Sequence, residues 1–354
     1  MKLSYLSWAI LLVVVLAWAG IYFYNRPPQQ FTKMAPAKEI ALKSWKFIDD
    51  SVMNEDRRTR RDLWINRFIC NEAGCRTDRS LQNDGYVLSS LTPPALYISD
   101  LKLLASTTGN TDFKKKYLVE SLLLMGVCAR DAEVCRRGFT AIASYDVSPK
   151  NAGKLRILIR EDTDVPDTLL GWYQKLERYL LLAKITGKAT DVANAEKVFM
   201  EVHLVPPRAG TSAYTAGVRE INAASCYRPL GEVRTYALTK KSQYLESASA
   251  FAKEAELGAH AKELDRPEIT AGRLVHPLLI CSDLLVSLFE ATGEERYLNE
   301  AKNLVQYAVS NNISADGAFY RPTSSSESSK YSWDTLWFVN ILLRVPRVEF
   351  SVPI

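Results

Sequence analysis

Three stretches of this chain repeat one pattern: an apolar run of helical period, a Thr-Gly step, and a polar start to a second helix. They read LLASTTGNTDFKKKYLVESLLL, LLAKITGKATDVANAEKVF and LFEATGEERYLNEAKNLV. Gly109, Gly187 and Gly293 stand where a helix C-terminus takes a left-handed residue, a conformation that glycine adopts freely because it lacks a Cβ. A new helix starts two to four positions later, so each stretch is predicted to be a helical hairpin.

The Thr-Gly steps are 78 and 106 residues apart, which leaves room for a further, less regular hairpin in each interval, near 132–160 and 212–258. A sixth arises if the last helix, Ser332 to Leu343, pairs with the first, Glu39 to Met53, and so joins the two ends of the domain. Six hairpins closed end to end predict an all-α fold, an (α/α)6 six-hairpin toroid. The competing architecture is an open solenoid of the tetratricopeptide or Sel1 type. Uneven breaks and the lack of a fixed repeat of about 34–36 residues argue against it. Strand-like alternation is confined to Leu63 to Ile69. In the segment DTLLGWYQKLERYLLLAKITG, the residues Leu169, Trp172, Leu176, Tyr179 and Leu180 recur at helical spacing and predict a core stripe.

The segments TGEERYLNEAKNLVQYAV and YSWDTLW resemble the outer helix and the closing helix of the six-hairpin toroid superfamily of carbohydrate-active proteins. The resemblance spans about residues 39–345 and is one of architecture and helix-start style, without a family-defining catalytic signature. It implies a polysaccharide or oligosaccharide partner and the activity of a glycoside hydrolase, or of a lyase or epimerase on an acidic glycan. The alternative is a non-catalytic helical scaffold in an envelope assembly or secretion complex, since folds outlive their activities.

Residues 1–24 hold an apolar run from Leu3 to Tyr24 without a charge, matching the roughly 20 residues that a helix needs to cross a bilayer. An uncleaved transmembrane anchor and a signal sequence cleaved after Ala19 both fit, the second because Ala17-Trp18-Ala19 has the small-x-small form. Residues 25–38 carry Pro27, Pro28 and Pro36 among polar residues and predict an extended stalk; residues 39–354 form the helical domain. Arg26, Lys33 and Lys38 after the span favour retention inside by the charge rule. The six cysteines argue for export instead. They pair plausibly as Cys70 with Cys75, Cys128 with Cys135 and Cys226 with Cys281, although Cys281 in its apolar stretch also suits a buried thiol. The expectation is a single-pass membrane protein with a periplasmic or extracellular domain, or a secreted one if cleaved.

In such a toroid the loops leading into the inner helices converge on a cup, where helix N-termini add partial positive charge. Those loops carry Asp84, Tyr86, Arg273, His276, Arg321, Tyr331, Trp333 and Asp334. Glycoside hydrolysis needs two carboxylates, and Asp84 with Asp334 is the candidate catalytic pair. Tyr86, Trp333 and Tyr331 offer aromatic faces to a sugar ring, while Arg273 and Arg321 suit an acidic substituent and His276 a proton-abstracting base. Each also has a bland reading. Asp84 in Asn-Asp-Gly is a good turn former, Asp334 a helix cap, and His276 a histidine satisfied at a helix start.

Three widely separated histidines make a metal site unexpected, and no phosphate-binding glycine loop or nucleophile elbow occurs, so no cofactor is expected. A net charge of +5 spread along a chain that is 24% charged gives no polybasic block, which disfavours nucleic acid.

Overall fold

The computed structural model describes residues 32–53, 67–71, 74–77, 92–115, 152–153, 156, 169–204, 223–265, 276–322 and 328–353. Nine helices longer than two turns dominate the described residues: α1 (Ala37–Phe47), α2 (Thr92–Thr108), α3 (Leu169–Thr186), α4 (Ala189–Met200), α5 (Ala223–Thr239), α6 (Ser242–Ala255), α7 (Pro277–Thr292), α8 (Glu295–Asn311) and α9 (Ser332–Arg344). They stack as hairpins. α4 lies on α3, α6 on α5, and α8 on α7, while α2, α9, α7, α5 and α3 pack side by side as an inner row. α9 packs on α1, so the last helix meets the first. The stretch between α2 and α3, where another hairpin was expected near 132–160, lies largely outside the described residues.

The hairpin turns explain why Thr precedes Gly. Gly109, Gly187 and Gly293 are left-handed, with φ of 70°, 62° and 73°, and each donates its N–H to the carbonyl four residues back. Thr108 Oγ1 donates to Leu104 O (2.6 Å) and accepts the N–H of Asn110 (3.1 Å), which supplies a partner to the first residue beyond the turn. Thr292 does the same with Leu288 O and the Glu294 N–H. Thr186 also accepts from the Lys188 N–H, but its hydroxyl donates to Asp191 in the next helix.

A fourth copy of this turn joins α5 to α6 at Thr239-Lys240-Lys241, with Lys240 at φ 57° in the glycine position. The hairpin expected near 212–258 is therefore present, and it looked irregular because a lysine replaces the glycine. A Cβ at left-handed φ costs energy that glycine avoids, offset in part by the greater freedom of glycine in the unfolded chain. Lys240→Gly is expected to raise stability by about 0.5–1 kcal/mol, read as a higher denaturant midpoint with an unchanged slope.

The core lies between the inner and outer rows. Trp172, Leu176 and Leu180 are buried as the stripe predicted, with Leu169 and Tyr179 partly buried beside them. Trp172 Nε1 donates to Val198 O across the hairpin (2.9 Å). On its other side α5 approaches so closely that a Cβ on Gly231 would meet the Trp172 ring at 2.7 Å. α7 is buried from Pro277 to Leu288, as befits a helix enclosed by neighbours on every side.

Strand is more frequent than the sequence suggested. β1 (Thr32–Pro36) pairs antiparallel with β6 (Glu349–Pro353), from Thr32 opposite Pro353 to Pro36 opposite Glu349. The end of the expected stalk is thus a strand against the C-terminus, and α1 starts at Ala37. A second sheet runs in the order β3-β2-β5-β4, from β2 (Arg67–Asn71), β3 (Gly74–Thr77), β4 (Tyr320–Pro322) and β5 (Ser328–Tyr331). The alternation noted at Leu63 to Ile69 overlaps β2, whereas β4 and β5 had been expected as loop. They form because the chain entering α9 finds an edge to pair with. The first helix also ends earlier than Met53: α1 stops at Phe47 and a π-helical turn covers Ile48–Met53.

Two disulfides lie among the described residues. Cys70–Cys75 closes the β2–β3 hairpin at directly opposed positions, and Cys226–Cys281 joins the first turns of α5 and α7. Cys281 is thus bonded and buried rather than a packed thiol. Cys128 and Cys135 lie outside the described residues. No group of residues that could hold a metal ion occurs among those described.

Candidate functional site

α3, α5, α7 and α9 each leave a short Thr-Gly or related link, or the chain's closing turn, at one end. The longer connections reach their N-termini, and of the predicted cup residues His276 and Asp334 lie at this end among the described residues. His276 is the N-cap of α7, and its Nδ1 accepts the N–H of Leu278 at 3.3 Å. That assigns the ring proton to Nε2, which lies 3.0 Å from Asp265 Oδ1. Asp265 also accepts from Asn312 Nδ2 (3.0 Å) and the Tyr307 hydroxyl (3.3 Å). Burial, together with the nearby Asp265 carboxylate, raises the Tyr307 phenol above its ordinary value.

Asp334 stands in the first turn of α9 with 1% of its surface exposed. Its Oδ1 accepts the main-chain N–H of His276 at 3.1 Å. The structure therefore brings Asp334 and His276 together, but through the histidine's backbone rather than its ring. Phe319 covers the imidazole edge-on at 5.2 Å, and its N–H is held by Thr335 Oγ1 at 3.0 Å. Arg321, Tyr331 and Trp333 have their backbones in β4, β5 and α9, and their side chains lie outside the described residues. Asp84, Tyr86 and Arg273 lie outside the described residues altogether.

Deeper along the inner row is a second polar set that sequence reasoning missed. Asp283, one turn and a half into α7, accepts from Arg234 Nη2 of α5 (3.1 Å), Ser287 Oγ (3.1 Å), Trp337 Nε1 of α9 (3.1 Å) and Arg344 Nη1. Arg344 also grips Glu290 with two parallel bonds of 2.8 and 2.6 Å and reaches Ser287. Burial by itself pushes the Asp283 carboxyl up, but the guanidinium groups of Arg344 and Arg234 outweigh it and hold the group below its usual value.

Tyr173 and Glu177, one turn apart on α3, face this hub. Loss of solvation raises the Glu177 carboxyl above its ordinary value, against the pull of Arg234. The residue is nevertheless exposed. Across the row, Asp100 of α2 accepts from Asn340 of α9 at 3.1 Å, and burial raises its carboxyl well above the usual range. The signal that could have revealed the hub is Asp283 itself, a lone acid in LLICSDLLVSLF, since a buried carboxylate demands a partner.

No protein-family model and no curated protein sequence matches the chain. Solved structures do. An unsaturated glucuronyl hydrolase specific for heparin aligns over 87% of this chain and 96% of its own, at 11% identity and a TM-score of 0.59. The unsaturated glucuronyl hydrolase of Bacillus sp. GL1, responsible for glycosaminoglycan degradation, aligns over 88% and 95%, at 12% identity and a TM-score of 0.56. An α-1,6-mannanase from a Salegentibacter species aligns over 88% and 98%, at 13% identity and a TM-score of 0.54. These carbohydrate-active enzymes are (α/α)6 toroids, and at such identity the likeness establishes the fold.

Proposed function

We propose that this chain is a membrane-tethered, extracytoplasmic toroid that binds or cleaves a polysaccharide of the cell envelope. The observation that carries the reading is an inner row of helices, closed where α9 packs on α1, in a fold whose solved neighbours include glycan-degrading enzymes. Disulfides between buried positions support export, because they persist in oxidising compartments. The anchor rests on residues 1–24, which lie outside the described residues; among those described, no helix is long and apolar enough to cross a membrane.

In this reading the rim supplies the recognition groups. Asp84 and Asp334 serve as the acid and base pair, Tyr86, Trp333 and Tyr331 as the sugar platform, and Arg273 and Arg321, with His276, as the clamp for an acidic substituent. A second reading, a non-catalytic scaffold within an envelope complex, is favoured by the bonds that Asp334 and His276 already make inside the fold. A carboxylate that is buried and holds a backbone N–H is poorly placed to exchange protons with a ligand.

The two readings separate by calorimetry of the detergent-solubilised full chain against neutral and uronate-containing oligosaccharides. Under the glycan reading at least one binds saturably, and Asp84→Ala or Arg273→Ala weakens it about tenfold or more, the value of one charged hydrogen bond. Absence of binding across the panel by a chain with a sharp thermal transition supports the scaffold.

A further inference from the structure

We propose that the cup end of this toroid, where the inner helices begin, faces the membrane to which the chain is tethered, and that its ligand is a glycan carried by that membrane. The proposal rests on the tethered glycan reading above and adds to it the direction of the cup and the source of the saccharide.

The course of the first and last strands carries it. The cup end of α8 is its C-terminus, since Asn312 Nδ2 and the ring of His276, the N-cap of α7, meet on one oxygen of Asp265. α1 begins at the opposite end: the Ala37 N–H donates to Val348 O (2.7 Å), just beyond α9, and Lys38 reaches Thr107 O in the last turn of α2 (3.4 Å). β6 sets out from there at Glu349 and packs on α8. At Ser351 it meets Gln306, whose side-chain amide grips it twice: Nε2 donates to Ser351 O (2.9 Å) and Oε1 accepts the Ser351 N–H (2.8 Å). Gln306 stands about 16 Å along α8 from Glu295 and about 8 Å short of Asn311, at 1.5 Å per residue. A strand that gains this level by Ser351 is heading for the cup end. Thr32, paired with Pro353, therefore leaves the wall near that end.

The strand also shortens the tether. Thr32–Pro36 belongs to β1, so only residues 25–31 separate the apolar run from the wall. Fully extended, they reach ~25 Å, whereas a compact body of this size has a radius of gyration of about 20 Å and is about 50 Å across. A tether half as long as the body is wide, leaving beside the cup end, draws that end to the bilayer. Presenting the other end would need the tether to double back along a wall of about 25 Å and use its whole reach. A cup held against the bilayer meets saccharides rooted in that bilayer at the high effective concentration of a shared surface.

The test reconstitutes the full chain in phosphatidylcholine vesicles, with flotation and the mass of the bound chain reporting whether residues 1–24 are retained. A fluorophore is placed at Ala315→Cys, exposed in the turn beyond α8, or at Glu295→Cys, exposed at the opposite end, and energy transfer to acceptor-labelled lipid is read. Transfer is expected to be about twofold or more stronger from Ala315→Cys, because the sites differ in height by about one helix length. If Glu295→Cys transfers as strongly or more strongly, the orientation is wrong and the tether stands. If the chain does not float with the vesicles, the tether reading falls and takes this inference with it. In a second arm the vesicles carry a synthetic glycolipid bearing a neutral or a uronate-containing oligosaccharide, compared with the same oligosaccharide free, and binding is read as a shift in thermal unfolding. The lipid-linked form is expected to half-saturate at about tenfold lower concentration or less. Equal potency of the two forms overturns the membrane source while the orientation stands. No shift with either form overturns the glycan reading itself, and the ligand falls with it.

Discussion

Asp283→Ala is expected to destabilise the fold by about 3–5 kcal/mol, because it leaves Arg344 buried without its central partner and strands three further donors. The effect is large because one nearly fully buried carboxylate ties α5, α7 and α9 together. Removing the hub as a unit should hurt less than breaking it: Asp283→Leu combined with Arg344→Met is expected to recover part of the loss, since paired buried charges contribute little net energy.

The pH dependence follows from the direction in which Asp283 is shifted. Its folded carboxyl lies below the ordinary value of 3.8, so its stabilisation is fully present above that value and is lost as pH falls through the folded one. Chemical denaturation at pH 7 and at progressively lower pH should therefore show the gap between wild type and Asp283→Ala closing once pH falls below about 4. A gap that stays constant into strong acid would mean that the charge of Asp283 does not matter and that its packing does.

Loss of the Cys226–Cys281 disulfide is the second large effect, expected at about 4 kcal/mol from the chain entropy of a loop spanning 55 residues. The same arithmetic gives about 2 kcal/mol for Cys70–Cys75, whose separation is 5. Both half-cystines of the larger loop are fully buried, so Cys226→Ala with Cys281→Ala also leaves small voids. The comparison of the two double variants by thermal unfolding checks the ranking. If opening the short hairpin costs more, the bond's role is to fix the β2–β5 sheet rather than to constrain the unfolded chain.

The hairpins were legible because their signal is local. A Thr-Gly step at the end of an apolar helical run specifies a left-handed turn whose hydrogen bonds close within a few residues, as at Thr108, Thr186 and Thr292. Lys240 hid the fourth turn, since the position tolerates a lysine where a sequence pattern expects glycine. Pairing of the last helix with the first was also foreseeable from the arithmetic of hairpins. The strands β1 and β6 that accompany it were not, because each needs the other, over three hundred residues away, as its hydrogen-bond partner.

The candidate site divides the same way. His276 and Asp334 could be placed near an inner-helix start from Pro277 and the polar run before Trp333. That Asp334 would hold the backbone of His276, and that the imidazole would turn to Asp265, depended on how α7, α8 and α9 pack. Tyr173, Glu177 and Arg234 look in sequence like ordinary members of amphipathic helices. Only the arrangement of α3, α5 and α7 brings them together beside Asp283.

The sequence by itself determined a mainly helical body of stacked hairpins, the positions of three of their turns, and plausible partners for its cysteines, because periodicity, glycine conformation and cysteine count act over short range or by number. Tertiary structure alone decided which charges meet. Arg344 reaches Asp283 across 61 residues and Asn340 reaches Asp100 across 240, and no local rule selects such partners. They are chosen by the helix packing that buries them, which makes an unpaired charge too costly to remain.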